Sequence, residues 1–369
     1  MPPTRSYFVN APGTDYSLTP PPGLLAGVHG TAHFHVNAFG VRGQPFGADA
    51  AEYRILAVGG STTRCTFLDE TEAWTYLLEH QLGRTADGRS VWVGNVGKDA
   101  ATSREHVLQV KYLLKQYPRI DAVVVLVGVN DMLSALQQGW QYRVPDAVTT
   151  PEAERVQMER AFVETPHRVQ DEEFSSFAGV PWYKATAVWQ LAHRAKQVLF
   201  THRTYPIKDF PSHIAQSRRE RQEAAEWVDS LPPLDAPLRE YRRNLNAIAD
   251  IAAASGATLV LVTQPTVWRA AMSVTEQQVL VFGYLGPIKR PMRVFYTVGS
   301  LERAMRRYNE ALLAVCRERG LDCVDAAPRL ARDTTTMYDD MHFNEEGARL
   351  LAGLLADHFR SRSPFHTRN

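Results

Sequence analysis

Cysteine is scarce in this chain, long apolar runs are missing, and neither sign of charge dominates. The 369 residues include three cysteines, 41 lysines and arginines, and 40 aspartates and glutamates, so the net charge is +1. Such an even balance of charges argues against a nucleic-acid-binding protein, which needs a concentrated basic surface. The chain contains no run of about 18 apolar residues, so we expect no transmembrane helix.

The three cysteines, Cys65, Cys316 and Cys323, have none of the spacings of a metal site. Because free thiols persist in reducing compartments, these cysteines predict buried thiols in a cytoplasmic protein. The proline-rich residues 1–22 lack the apolar core of a signal peptide, although a secreted protein with its leader trimmed would look the same. We expect neither a metal ion nor a cofactor.

Three common motifs are also missing. The turn at residues 59–60 is rich in glycine but does not belong to a G-x-G-x-x-G sequence, and Gly97-Lys98 lacks the flanking residues of a P-loop. A nucleotide-binding module is therefore disfavoured. The absence of G-x-S-x-G argues against an ordinary α/β-hydrolase.

Short apolar segments alternate with amphipathic segments of helical period along the chain. The apolar segments predict strands at residues 54–58, 91–93, 121–127, 258–263 and 321–325. Such alternation is typical of right-handed crossovers between parallel strands. We therefore predict an α/β fold, a three-layer α/β/α sandwich with a parallel sheet of about five strands.

Two regions fall outside this alternation. Residues 1–50 predict an irregular N-terminal extension, in which the alternating His33 and His35 indicate a short strand more than a metal site. Residues 134–237 form a long polar insert between 51–133 and 238–360, the two parts of the main domain. We expect a charged helix near 218–227 within the insert and a sparse apolar set formed by Trp182, Tyr183, Trp189 and Phe200. The insert begins beside the candidate site described below, so it could form a cap over that site.

Polar residues follow the predicted strands at the points where the strands end. Ser61 follows the first, residues 95–100 the second and residues 128–131 the third, while Asp339 and His342 come after the fifth. Because the carboxyl ends of parallel strands share one edge of a sheet, these segments can meet in one crevice. They supply the parts of a nucleophile, a base, an orienting carboxylate and an oxyanion hole.

The serine and histidine suit each other chemically. A serine hydroxyl is a poor nucleophile without a base within hydrogen-bond reach, and a carboxylate can fix the tautomer of that base. Asp339 and His342 lie three residues apart, so a single turn would bring carboxylate and imidazole together. An isolated D-x-x-H is more often a surface turn, and only its joint occurrence with the other segments favours a catalytic site.

These segments resemble the motif blocks of the SGNH hydrolases, also called the GDSL esterase/lipase family. The resemblance lies in Gly59-Gly60-Ser61-Thr62, Gly128-Val129-Asn130-Asp131 and Asp339-Asp340-Met341-His342, which are similar to the blocks G-D-S-x, G-x-N-D and D-x-x-H. It implies a flavodoxin-like SGNH hydrolase fold, Ser61 as nucleophile, His342 as base and Asp339 as its partner. It also implies that the Asn130 side chain and the Ser61 backbone N–H bind the oxyanion.

The chain departs from the family pattern at two positions. Gly60 stands where the first block has aspartate, and Ala100 stands where the second block usually has glycine. Two interpretations of the second block are open: Ala100 has φ below zero and donates its N–H to the oxyanion, or Gly97 supplies that donor. We expect the first.

The resemblance implies a serine esterase that hydrolyses acyl or acetyl esters of a sugar, lipid or small metabolite through an acyl-enzyme. An acyltransferase of the same fold and a non-catalytic binding protein are the alternatives. Arg64, Lys98 and Gly97 flank the motif blocks and could contact substrate, and the two cations could favour an anionic one. Trp268 could line a pocket or pack loops, whereas Cys65 is expected to be a buried thiol and no nucleophile.

Overall fold

The structure is a computed structural model that describes residues 7–47, 52–144, 151–163, 210–287 and 290–366. The strands within these residues are β1 (Asp15–Leu18), β2 (Ala32–His35), β3 (Tyr53–Gly59), β4 (Val91–Gly97), β5 (Ala122–Leu126), β6 (Glu226–Val228), β7 (Thr258–Val262), β8 (Val294–Tyr296) and β9 (Asp322–Val324). The α-helices are α1 (Ser61–Arg64), α2 (Trp74–Leu82), α3 (Ser103–Gln116), α4 (Val129–Gln138), α5 (Pro151–Ala161), α6 (Phe210–Gln222), α7 (Asp235–Ala254), α8 (Val298–Arg319) and α9 (Glu345–Arg360).

Five parallel strands form the central sheet, in the order β4-β3-β5-β7-β9. Every residue of β3 and β5 is buried, as expected for strands that helices cover on both faces. Helices α2 and α9 pack together, while α3 packs on α7 and α7 on α8. The predicted α/β fold with a parallel sheet of five strands is confirmed.

Helix α3 begins with a capping box formed by Thr102 and Glu105. The Thr102 hydroxyl accepts the N–H of Arg104, and the Glu105 carboxylate accepts the N–H of Thr102 at 2.8 Å. This reciprocal capping satisfies donors that the first helical turn leaves without partners. The loop between β4 and α3 is thereby held close to the carboxyl edge of the sheet.

The N-terminal extension packs on the central domain through a buried arginine. Strand β1 pairs antiparallel with β2, so the predicted short strand at His33 and His35 is confirmed. Arg42 is 3% exposed and donates to the backbone carbonyls of Arg64, Cys65 and Leu68 at 2.6 to 2.8 Å. The extension therefore supports the segment that follows Ser61.

The charged helix of the insert lies earlier than predicted. Helix α6 spans Phe210–Gln222, and Glu226–Val228 is strand β6, which pairs in parallel with β8. The prediction of a helix near 218–227 is wrong at its C-terminal end because Trp227 lies in this short strand. The expected apolar set of the insert lies outside the described residues, namely Trp182, Tyr183, Trp189 and Phe200.

The prediction of three free thiols is wrong for two of them. Cys316 and Cys323 form a disulfide, with their Cα atoms 6.3 Å apart, and Cys65 is free and buried. Helix α8 ends at Arg319, and the left-handed residue that follows, Gly320 with φ of 62°, turns the chain back so that the two cysteines meet. In the part of the chain that the structure describes, no helix is both long and apolar enough to cross a membrane.

Candidate active site

Ser61 lies at the turn from β3 into the short helix α1. A Cβ atom on Gly59 would lie 2.1 Å from the Thr63 hydroxyl oxygen and 2.8 Å from the Leu126 carbonyl oxygen, so a side chain at residue 59 has no room. Gly60 has an extended backbone, and Ser61 begins the helix. The close approach of strand and helix therefore requires glycine at 59 and presents Ser61 at the carboxyl edge of the sheet.

Ser61, His342 and Asp339 form a continuous chain of hydrogen bonds. The His342 Nε2 atom lies 2.7 Å from Ser61 Oγ, and Nδ1 lies 2.7 Å from Asp339 Oδ2. Asp339 Oδ1 accepts the backbone N–H groups of Met341 and His342 at 3.0 and 2.9 Å. The D-x-x-H segment is thus a tight turn whose own backbone orients the carboxylate.

The electrostatics of the pair favour a charged imidazole. Burial lowers the pKa of His342, but the negative charge of Asp339 and its hydrogen bond outweigh burial and raise that pKa above the ordinary value. Burial raises the pKa of Asp339, but the charge of His342 and hydrogen bonds from three N–H donors outweigh burial and keep that pKa below the ordinary value. Asp339 therefore stays ionised and can stabilise an imidazolium.

Asp340 points away from the histidine and performs a different task. Its carboxylate accepts the Trp268 indole N–H at 2.8 Å and the backbone N–H groups of Val281 and Phe282 at 2.5 and 3.2 Å. Burial and the neighbouring Asp339 raise its pKa. Asp340 thus holds the loop that brings Phe282 beside the His342 ring, with 5.9 Å between ring centroids.

Asn130 brings a side-chain amide to the same edge of the sheet. Its Nδ2 atom donates one hydrogen to the Ala101 carbonyl oxygen at 2.8 Å, which leaves the second hydrogen free for another acceptor. The backbone N–H groups of Ser61 and Ala100 likewise have no hydrogen-bond acceptor among the described residues. These three donors are the set from which an oxyanion hole can be built.

Ala100 has φ of 58°, so the expectation that its φ is below zero is wrong. The Ala101 N–H donates to the Lys98 carbonyl oxygen at 3.2 Å, which puts Ala100 at the third position of a tight turn. That position takes positive φ in several turn types. The alternative donor is excluded by its contacts, because the Gly97 N–H donates to Asn95 Oδ1 at 2.9 Å.

Gly97 has a structural task. A Cβ atom on it would lie 2.2 Å from the backbone nitrogen of Arg64, so glycine is needed for β4 to pack against α1. Arg64 itself is paired with Asp99, with 2.5 Å between Nη1 and Oδ2. Burial and the nearby Arg64 lower the pKa of Lys98 to about 8. Gly97, Arg64 and Lys98 do not line the cavity beside Asn130. The prediction that the two cations favour an anionic substrate therefore gains no support.

Trp268 is fully buried and donates to Asp340, so its predicted task in lining a substrate pocket is wrong. It packs loops, which was the other interpretation of the sequence. Cys65 is buried as predicted, and burial raises the pKa of its thiol to about 11. A thiol of this kind is a poor nucleophile.

A cavity of about 490 Å³ opens directly beside Asn130 and Ala100. Its walls include residues that the sequence did not single out, among them Gln137, Tyr142, Glu240, Tyr284 and Tyr308. They come from separate helices and loops and share no motif. Glu240 is the residue with a weak sequence signal of a functional position, because it is a carboxylate on the apolar face of α7, where it is buried. In the described ranges no group of three or more His, Cys, Asp or Glu side chains could hold a metal ion.

Comparisons with known proteins return solved structures but no family. No family model and no curated protein matches the chain. A member of the lipolytic G-D-S-L family from Veillonella parvula is 11% identical, with 84% of this chain and 100% of that chain covered and a TM-score of 0.43. The native aryl esterase of M. smegmatis is 13% identical, with coverages of 84% and 99% and a TM-score of 0.43. An acetylxylan esterase from Geobacillus stearothermophilus is 12% identical, with coverages of 86% and 97% and a TM-score of 0.42.

At these identities and TM-scores the matches do not decide what the chain does. The function proposed below therefore rests on the geometry of its own side chains.

Proposed function

We propose that this protein is a serine esterase of the SGNH type, which hydrolyses carboxylic esters through an acyl-enzyme on Ser61. The observation that carries the proposal is the hydrogen-bonded chain from Asp339 through His342 to Ser61. That chain lies beside an amide donor, Asn130, that has one hydrogen to spare. A nucleophile, its base, an orienting carboxylate and an oxyanion donor together make up the machinery of acyl transfer.

In the first half of the reaction, Ser61 Oγ attacks the ester carbonyl carbon while His342 Nε2 takes the hydroxyl proton. The carbonyl oxygen becomes an oxyanion and accepts hydrogen bonds from the Asn130 amide and the N–H groups of Ser61 and Ala100. Asp339 stabilises the imidazolium, in keeping with the raised pKa of His342. The intermediate then collapses, and the alcohol leaves with the proton from His342.

In the second half, water attacks the acyl carbon of the Ser61 ester. His342 takes a proton from the water, and the tetrahedral intermediate releases the carboxylic acid as Ser61 Oγ recovers its proton from His342. An alcohol in place of water would give transfer of the acyl group. Product analysis with an added alcohol separates hydrolysis from transfer.

The test is turnover of small activated acyl esters by purified protein and its variants. Ser61→Ala and His342→Ala should each reduce kcat to near background, because the triad acts as a unit. Ser255→Ala is a matched control, since Ser255 is an exposed serine after α7, at the opposite edge of the sheet. Full activity in Ser61→Ala would disprove the assignment.

A further inference from the structure

We infer that the cavity beside Asn130 binds an uncharged, hydroxyl-rich alcohol portion of the ester, so that the substrate class is an acyl ester of a sugar or similar polyol. This inference rests on the proposed esterase function. It goes beyond that function because nothing in the triad specifies the alcohol. Three features of the cavity support it: the side chains of its walls, a buried hydroxyl among them that no described residue satisfies, and the charges on the walls.

The walls of the cavity are dominated by groups that both donate and accept hydrogen bonds. Side chains of this type are Ser134, Gln137, Gln138, Tyr142, Tyr284 and Tyr308. A hydrocarbon chain in this space would strip water from them and return no hydrogen bonds, which is unfavourable for each group left without a partner. A fatty acyl chain or an apolar alcohol is therefore a poor occupant.

Three of these polar groups have no partner in the part of the chain that the structure describes. The Tyr308 hydroxyl is fully buried and makes no hydrogen bond. The Gln137 side-chain amide and the Tyr284 hydroxyl are half-buried, and no described residue bonds to them. Buried polar groups are nearly always satisfied, and none of the described residues satisfies the Tyr308 hydroxyl, whose residue lines this cavity. A ligand hydroxyl can both donate to and accept from such groups.

Charge on the walls disfavours an anionic occupant. Two carboxylates that line the cavity, Glu105 and Glu240, are buried, and a third, Asp131, is half-buried. Arg104 is committed to Glu240, with 3.1 Å between Nε and Oε1, and Tyr142 donates to the other oxygen at 2.7 Å. Arg160 is the second cation of the walls, so the carboxylates outnumber the cations there.

Asp131 favours a hydrogen-bond donor in particular. Its carboxylate accepts the N–H of Ser103 at 3.0 Å and the hydroxyl of Ser103 at 2.5 Å, and it pairs with no cation among the described residues. Burial, followed by the charges of Glu105 and Glu240, raises its pKa to about 7. A neutral hydroxyl stabilises such a group without bringing in a charge. The volume of about 490 Å³ lies within the usual range for small-ligand pockets and is ample for a sugar ring.

The experiment compares acetate esters that share the acyl group and differ in the alcohol. The probes are a mono-O-acetylated methyl glucoside, acetylcholine as a cationic ester, O-acetyl lactate as an anionic ester, and phenyl acetate as an apolar reference. We expect the highest kcat/KM among the alkyl esters for the sugar ester and the lowest for the anionic one.

Two variants test the cavity itself. Tyr284→Phe and Gln137→Leu remove hydrogen-bonding groups and keep side-chain volume, so each should lower the ratio of sugar-ester to phenyl-acetate kcat/KM about fivefold, the effect of ~1 kcal/mol. Tyr76→Phe, a tyrosine on α2 outside this cavity, should leave the ratio unchanged.

The outcomes separate this inference from the proposed function. If phenyl acetate is turned over but acetylcholine is preferred to the sugar ester, or if both cavity variants keep the wild-type ratio, the inference is overturned and the esterase proposal stands. If no ester, phenyl acetate included, is turned over, the esterase proposal fails and the inference fails with it.

Discussion

Gly60 offers a way to disturb the oxyanion hole without touching any of its members. A Cβ atom built on Gly60 would lie 2.4 Å from Asn130 Nδ2, well under the 3.0 Å below which real Cβ contacts essentially never fall. The backbone of Gly60 is extended, with φ of −82°, so alanine causes no conformational strain there. Gly60→Ala should therefore act on one neighbour, the Asn130 amide.

The size of the effect follows from that displacement. The amide must move by about 0.6 Å or more, which disturbs the 2.8 Å hydrogen bond to Ala101 that aims it. Loss of one oxyanion donor costs ~10²–10³ in kcat, and misplacement by about 1 Å can cost ~10². We expect Gly60→Ala to lower kcat about 10²-fold, with a melting temperature close to that of the wild type.

Steady-state kinetics of Gly60→Ala, Asn130→Ala and the double variant provide the assay. Because both changes remove the same donor, the double variant should be no slower than Asn130→Ala alone. Gly353→Ala is the control, since a Cβ atom at this position of α9 meets nothing within 4 Å. Gly60→Ala with wild-type kcat, or a double variant in which the two losses multiply, would refute the reasoning.

The remaining predictions concern the two carboxylates and the turn at residue 100. Asp339→Asn should reduce kcat by orders of magnitude because it disfavours the required tautomer of His342. Asp340→Asn should mainly lower the melting temperature, because it loosens the loop at 281–282. Kinetics and thermal unfolding measured side by side would show the reverse ranking if the turn had another register. The charge of Asp339 raises the pKa of His342, so kcat/KM should fall with decreasing pH at a midpoint above about 6.5, the ordinary pKa of histidine. The residual activity of Asp339→Asn should show a lower midpoint. An unchanged pH profile in this variant would speak against the pairing of Asp339 with His342. Ala100→Gly should increase the free energy of unfolding by ~0.5–1 kcal/mol. The change relieves ~1–2 kcal/mol of strain at the left-handed residue, which exceeds the ~0.4–1 kcal/mol by which glycine stabilises the unfolded chain. Urea titration measures the difference, and a loss of stability would mean that the strain is absent. Ala100→Val should reduce both stability and kcat.

The sheet could be predicted from the sequence because its strands are buried on both faces. Such strands are continuous apolar runs, and β5 is apolar over its whole length. The meeting of Ser61, Asn130, Asp339 and His342 at one edge follows from the parallel order of the strands, and the structure brings Ser61, His342 and Asp339 within hydrogen-bond distance. Local pattern and simple topology were enough for both.

Other features depend on contacts between distant parts of the chain. The left-handed Ala100 belongs to a turn, and alanine gives no sign of positive φ in a sequence. The disulfide between Cys316 and Cys323 depends on how α8 turns into β9. Trp268 is a buried donor to Asp340, which lies 72 residues further along the chain. The cavity is lined from several elements at once, and no periodicity predicts such a set.

The insert at residues 134–237 stays a predicted cap. Six of its described residues line the cavity, namely Ser134, Gln137, Gln138, Tyr142, Arg160 and Pro237. Arg218 of α6 donates to the Tyr338 carbonyl oxygen at 3.1 Å, next to the turn that carries Asp339. Trimming the insert while leaving α6 in place should change the preference for the alcohol and leave turnover of small esters measurable.

The formation of a covalent bond to Ser61 is the step on which the esterase proposal depends most directly. Treatment with a serine-directed phosphonate, followed by peptide mass spectrometry, identifies the residue that reacts. We predict a single adduct on Ser61 that forms much more slowly in His342→Ala, where the base is missing. An adduct on Cys65, or labelling of Ser61 at the same rate in His342→Ala, would contradict a histidine-activated serine at this site.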